Sequence, residues 1–324
     1  MPSPLDTLTQ INLDDLVTAF GWEHQPFLAS LLRRTFTNPA RRFAGQVVGF
    51  DHDVGQTNLA EASRQLMRKH YVKDVRVYGR ENVPANGPVL FLANHPGMAD
   101  TISLFTAINR PDLKIIALHR PFLAALPNTT KQLFYIDDDP TKRLNAVRQV
   151  STHLREGCSV LTFPAGEIEP DPDVYNGSLE ALDSWTDSAG VFIRFAHDTR
   201  IVPVLVSGVI WEKAARHWIP RLKSTRLERE KLAAALQLLM LITRNARPNV
   251  VHVRFARPIT MDEVGSTDAH AIHQLVIERM KDLIKYSHKA EGISALYQRE
   301  TTLNNPSNNA PVESILNPKP TQRS

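Results

Sequence analysis

The stretch VLFLANHPGMAD, Val89 to Asp100, changes character halfway. Its first five residues form an apolar run of the length of a buried strand. The run stops at Asn94 and His95, Pro96 and Gly97 turn the chain, and Ile102, Leu104 and Phe105 carry helical spacing beyond Asp100. A strand, a turn and a helix in that order form the repeating unit of an α/β domain. The unit places His95 at the carboxyl end of a strand, where open α/β sheets hold their ligands.

Outward from this stretch the same alternation continues. The short β-branched runs VRVY, KIIAL, LFYI, SVLTF, IVPVLV and VVHVRF are separated by helical segments, which predicts a mostly parallel central sheet flanked by helices over residues 72–290. After Pro140, Leu144, Val147, Val150 and Leu154 line one helical stripe ending at Gly157, a residue suited to closing a helix. Ile272, Leu275, Val276, Leu283 and Ile284 mark another helix over 269–286.

Residues 1–71 read instead as a helical N-terminal region. Its helices are Leu13–Phe20, Phe27–Phe36 and a third from Leu59, opened by Asn58 and Glu61 in capping-box positions. The tail 291–324 is polar and rich in Asn and Pro, a composition that predicts disorder.

Composition narrows the function classes. Hydrophobic residues make up 42% and charged residues 22% of the 324, which is globular rather than fibrous or disordered. The 38 basic and 34 acidic residues nearly balance, so where the cations cluster says more than the net charge. A single cysteine, Cys158, excludes an intramolecular disulfide and a multi-cysteine zinc site. No basic and apolar secretory leader is visible at the N-terminus. The longest apolar run, Ala233 to Ile242, is half of what a bilayer span of roughly 20 residues requires. The expectation is a soluble or peripheral protein.

His95 and Asp100 carry two readings. A carboxylate five residues on can reach one imidazole nitrogen, fix the tautomer and leave the other nitrogen to take a proton. Alternatively, Asp100 caps a helix and His95 fills a loop. The segments around them weigh on the choice: SVLTFPAGEIEP runs from a strand into Pro164, Gly166 and a row of carboxylates, followed by IVPVLVSG and VRFARPI.

In this order, from about Val75 to Ile259, the segments resemble the glycerolipid acyltransferase family of glycerol-3-phosphate and lysophosphatidic acid acyltransferases. That family carries an Asn-His-x4-Asp motif, a Phe-Ile-x-Arg-like block, a Phe-Pro-Glu-Gly-Thr-Arg-like block and a Val-Pro strand. The resemblance implies that His95 is the general base for an acceptor hydroxyl and Asp100 its orienting partner. The donor is then an acyl-CoA or acyl carrier protein thioester, used as co-substrate with no cofactor and no metal, and the acceptor a lipid. The expected place is cytoplasmic, at the inner face of a membrane.

The chain departs from the pattern in two blocks. In FYIDDD the family arginine is replaced by Asp138, which leaves His119, Arg120 and Arg143 as candidate substrate contacts. In FPAGEIEP, Ala165 stands for the family glutamate, Glu167 for threonine, Ile168 for the basic residue and Glu169 for serine. Pro164, Ala165, Gly166 and Glu167 are the expected acceptor loop, with Glu167 read as its functional carboxylate and about half the carboxylates of the acidic run as solvated. Without a cation there, a phosphomonoester lacks its usual recognition. The DDD run at 137–139 lacks both a histidine and calcium-loop spacing.

Two segments mix basic with apolar and aromatic residues in the manner of a membrane-surface contact: Phe27–Phe43 and Trp211–Arg247. No nucleic-acid motif accompanies them. Two other functions share these residues: a noncatalytic lipid-binding protein of the same fold, and an acyl-thioester hydrolase in which water replaces the acceptor.

Overall fold

The computed structural model describes residues 3–137, 139–244, 249–287 and 313–314. The N-terminal region comprises helices α1 (Pro4–Phe20), α2 (Pro26–Gln56) and α3 (Leu59–Leu66), and leads into strand β1 (Asp74–Tyr78). Then follow β2 (Val89–Ala93), α4 (Met98–Ile108), β3 (Lys114–Leu118), α5 (Pro121–Ala124), α6 (Pro127–Thr130), β4 (Leu133–Ile136), α7 (Pro140–Arg155) and β5 (Ser159–Thr162). The chain continues through α8 (Ser178–Ala181), α9 (Ser188–Phe195), β6 (Arg200–Ser207), α10 (Glu212–Ala215), α11 (Arg226–Arg244), β7 (Val250–Phe255), α12 (Met261–Val264) and α13 (Ala269–Ser287). A two-residue strand, β8 (Glu313–Ser314), closes the order.

The strands form one sheet in the order β4-β3-β5-β2-β6-β7-β1-β8. Strands β4, β3, β5, β2 and β6 run parallel. Strand β7 turns back against β6, and β1 runs parallel to β7. The sheet is therefore mostly parallel, as expected, with β7 and β1 reversed and the short β8 antiparallel to β1. Its parallel members end at one edge, which carries the loops after β2, β3, β4 and β5.

Period-2 side-chain alternation divides the core between the two faces. Val89, Phe91 and Ala93 of β2 join one apolar cluster, together with Val202, Val204 and Val206 of β6. Leu90, Leu92, Ile201 and Leu205 join the other. The first cluster is covered by helical residues such as Leu8, Phe43, Val47, Phe50, Leu104 and Leu241. The second is covered by Val150, Leu154, Phe192, Ile193, Ile272 and Val276 from α7, α9 and α13. Because every β2 side chain is buried, the strand before His95 has no solvent-facing side.

Several local expectations change. The first helix starts at Pro4 rather than Leu13, with the Ser3 hydroxyl accepting from the Asp6 N–H and Pro4 at the first helical position. The second runs to Gln56 instead of stopping near Phe36, passing through Pro39. Burial of Phe43, Ala44, Val47, Phe50 and Val54 beyond the proline outweighs the one hydrogen bond that proline removes. On α7 the expected stripe holds for Val150 and Leu154, whereas Leu144 on the first turn is 49% exposed. The Asn58 side chain accepts from the Glu61 N–H at 3.0 Å, as its spacing predicts. Asp138, Arg247 and the tail 291–324, apart from Glu313 and Ser314, lie outside the described residues.

Candidate active site

The site begins where β2 ends. One residue past the strand, the Asn94 amide acts as a substitute peptide group: its Nδ2 donates to the Val206 carbonyl at 2.9 Å, and its Oδ1 accepts from the Val206 N–H at 2.7 Å. This extends the pairing with β6 beyond the last backbone match, Ala93 with Val204. The His95 backbone is then directed to a different partner.

The His95 N–H donates to Glu169 Oε2 at 2.9 Å, and the Glu169 N–H donates to the His95 carbonyl at 2.8 Å. Pro96 and Gly97 turn the chain into α4. Gly97 adopts φ 157° and ψ −170°, a conformation that residues with a side chain avoid.

Asp100 is fully buried. Its Oδ2 lies 2.8 Å from His95 Nδ1 and also accepts from the Gly97 N–H at 2.8 Å. Its Oδ1 accepts from the Thr101 N–H and from the Thr101 hydroxyl. The two readings of this residue are thus not alternatives. One carboxylate caps the helix and orients the imidazole, and the cap bonds hold it in place for the second task.

With Nδ1 engaged, Nε2 is the nitrogen left for chemistry, and no described residue bonds to it. The ring stacks on Phe163 with centroids 4.5 Å apart and an interplanar angle of 26°. Its side chain remains 27% exposed. Burial works against the imidazolium, but the Asp100 charge and hydrogen bond, together with the Glu169 charge, outweigh it and raise the His95 pKa. Two carboxylates thus favour the protonated imidazole.

Glu169 is 5% exposed, and its Oε1 accepts from Trp185 Nε1 at 2.8 Å. Burial pushes its pKa up to about 7, opposed by the bonds from Trp185 and His95 and by the His95 charge. Asp171, also fully buried, is raised to about 6, first by burial and also by the Asp173 charge, against the bonds it accepts from the backbone of Ile210, Gly208 and Asp173. Those bonds pin the loop after β5 to the end of β6.

The carboxylates of the FPAGEIEP loop and of the residues after it fall into two groups. Glu167, expected to be the functional carboxylate, is exposed next to exposed Gly166. Glu169 and Asp171, from a run about half of whose carboxylates were expected to be solvated, point inward to backbone donors. Pro164 is buried, its carbonyl accepting from the N–H and hydroxyl of Thr186, and Ala165 packs against the second core cluster. Neither the Glu169 contact nor Trp185 had a signal in the sequence, since a carboxylate among carboxylates reads as solvated surface.

His119 and Arg120 are exposed just past β3, two strands along the same sheet edge from His95. The His119 ring meets Tyr135 edge-on at 5.1 Å. Arg120 acts on Asp15 of α1, whose pKa is nonetheless raised by burial and by Asp14. Arg143 is exposed on the first turn of α7, and its side chain contacts no partner among the described residues. The structure brings His95, Asp100, Phe163 and Glu169 together. It leaves His119, Arg120 and Arg143 farther out along the edge.

Residues 74–207 match the model of the family described as Acyltransferase. This segment is an acyltransferase domain. It begins with the first residue of β1, ends with the last of β6 and contains His95, Asp100, Phe163 and Glu169. No curated protein matches the chain. Six chains of solved structures do. One is the crystal structure of the 1-acyl-sn-glycerophosphate (LPA) acyltransferase PlsC from Thermotoga maritima, with 15% identity, a TM-score of 0.44, and coverage of 87% of this chain and 95% of that one. No helix among the described residues is long and apolar enough to cross a membrane.

Proposed function

We propose that the acyltransferase domain moves a fatty acyl group from an acyl-CoA or acyl carrier protein thioester to the hydroxyl or amine of a glycerolipid or lysolipid acceptor. The observation that carries the proposal is the geometry of one ring: Nδ1 held by a buried carboxylate at 2.8 Å, with Nε2 left available. His95 Nε2 takes the acceptor proton as the acceptor oxygen or nitrogen forms its bond to the thioester carbonyl carbon. The tetrahedral intermediate then expels the thiolate by breaking the C–S bond, and the imidazolium returns its proton to the sulfur. No redox partner enters this balance. Asp100 stays ionised and stabilises the transient imidazolium.

The acceptor's recognised group is taken to be something other than a bare phosphomonoester. Ile168 stands where the resemblance expects a cation, and exposed Glu167 beside it repels a dianion. Arg120 and Arg143 supply positive charge farther along the edge, beside His119, where they suit the donor's anionic groups.

The acceptor reaches the site from a membrane surface. Phe27 is 78%, Trp218 63% and Leu222 72% exposed. The turn carrying Leu222 adjoins the turn between α1 and α2, because a side chain built on Gly21 would lie 3.4 Å from Lys223 Nζ. Apolar side chains beside lysine and arginine suit an anionic lipid surface, which supports a position at the cytoplasmic face of a membrane. No nucleic-acid partner is invoked.

The test is to incubate the full chain with labelled acyl-CoA, with and without a panel of lysolipids, alongside His95→Ala. Acceptor-dependent acylated product that disappears in the variant supports the transferase. Thiol release without an acceptor turns the assignment to hydrolysis, and binding without turnover turns it to a lipid carrier. Equal use of lysophosphatidic acid and its dephosphorylated analogue supports the acceptor assignment, which an absolute need for the phosphate overturns.

A further inference from the structure

Removing a carboxylate from water is costly, by several kcal/mol even after relaxation, so a buried one needs partners that recover the loss. Glu169 has three bonds that define its surroundings. Oε1 accepts from Trp185 Nε1, Oε2 accepts from the His95 N–H, and its own N–H donates to the His95 carbonyl. The last two close a ring between the residues, so one residue of the loop after β5 grips the His95 backbone at both its amide and its carbonyl. Phe163, earlier in that loop, lies against the face of the imidazole. Asp100 sets the tautomer, while the loop after β5 sets where the ring sits.

Resting on the acyl-transfer reading above, we propose that Glu169 is a positioning residue for His95, holding its backbone and supplying a second negative charge that favours the imidazolium formed when the base takes the acceptor's proton. The charged groups facing the ring are Asp100 from α4 and Glu169 from the loop after β5, and both act to raise its pKa. Glu169 is itself pushed up to about 7 by burial, so its own charge develops near neutrality. A carboxylate that merely filled the loop would affect His95 equally in either protonation state. One that acts through charge moves the histidine's titration.

Glu169→Gln separates these roles while keeping the side chain's size. Glutamine offers one carbonyl oxygen and one NH2 group, whereas Trp185 Nε1–H and the His95 N–H are both donors. One of them is left facing a donor, and the charge is gone. In the full chain, kcat is expected to fall ~10- to 100-fold, with KM for both substrates within about twofold. The midpoint of the acid limb of kcat/KM is expected to move down by ~0.5 to 1 pH unit.

The same displacement is read without turnover by NMR titration of carbon-13-labelled histidine, with the His95 signal assigned through His95→Ala. A folded Glu169→Gln protein whose His95 titration and acid limb both stay in place overturns the proposal. Should Glu169→Gln fail to fold, Trp185→Phe removes one donor to the carboxylate, weakens its anion and shifts His95 in the same direction by less; an unmoved His95 in that variant also overturns it. A displaced NMR titration in a protein whose wild type transfers no acyl group sinks the transferase reading and leaves the positioning role standing.

Discussion

Replacing Asp100 by asparagine exchanges one oxygen for an amide nitrogen and removes the charge, at a site where four donors converge. Oδ2 accepts from His95 Nδ1 and the Gly97 N–H, and Oδ1 from the Thr101 N–H and hydroxyl. Asparagine has one oxygen for these four donors. If that oxygen remains with the two Thr101 donors, the NH2 group faces His95 Nδ1 and the Gly97 N–H. The imidazole then satisfies it only by leaving Nδ1 unprotonated and carrying its hydrogen on Nε2, the nitrogen that should accept the acceptor's proton.

The wrong tautomer and the lost charge act together, and in a comparable carboxylate–histidine pair they cost ~10⁴-fold in turnover, about 5.5 kcal/mol of barrier. Asp100→Asn is accordingly expected to lower kcat for acyl transfer by ~10³- to 10⁴-fold with little change in KM. His95→Ala should lose a similar amount, and the double variant little more, since the two act as one unit. The assay is acceptor-dependent thiol release, with circular dichroism to establish that the variant is folded. An Asp100→Asn enzyme within about tenfold of wild type, or losses that multiply in the double variant, would refute the dyad.

The raised carboxyls make a stability prediction. Folding raises the pKa of Glu169 from 4.5 to about 7 and of Asp171 from 3.8 to about 6, so the folded state holds these protons more tightly than the unfolded chain. Their stabilisation is fully present below the unfolded values and is lost as pH climbs through the folded ones. Tm should therefore fall between about pH 4 and about pH 7, with Glu169 contributing on the order of 3 kcal/mol, and Glu169→Gln should flatten the fall when followed by calorimetry. Gly208 adopts φ +73°, and a β-carbon there would sit 2.5 Å from the Val250 carbonyl oxygen. Gly208→Ala should cost at least ~2 kcal/mol in urea unfolding. Phe27→Glu combined with Trp218→Glu is expected to reduce sedimentation with anionic vesicles ~10-fold at unchanged Tm, and retained binding would count against that surface.

The seven principal strands were legible because each is a short β-branched run bounded by turn residues, and the collinear order of the blocks around His95 and Asp100 pointed to the chemistry. What was hidden depends on contacts between distant residues. Pro39 reads as a helix stop, yet α2 continues because Phe43, Val47 and Phe50 find a core to enter. Glu167 and Glu169 are alike as neighbours in an acidic run. Only the placement of Trp185 and the His95 backbone, supplied by the fold, turns one inward and leaves the other exposed. The two-residue strand β8 carries no pattern long enough to read.

The sheet order has a consequence for synthesis. Strand β1 emerges early, but its long-range partner in the ladder is β7, with Asp74 paired to Val250. At a translation rate of ~5 to 20 residues per second, that separation leaves β1 waiting for roughly 10 to 35 seconds. During that time β2 to β6 can pair with one another, with only the outer side of β6 left waiting for β7. Yet Val75 and Val77 belong to the same apolar cluster as the helices before them, so those helices lack a finished surface to pack on until β7 arrives. The catalytic edge can be in place on the nascent chain while the sheet's far side still exposes an unpaired strand, and that interval is when the chain is most open to wrong association or to a chaperone.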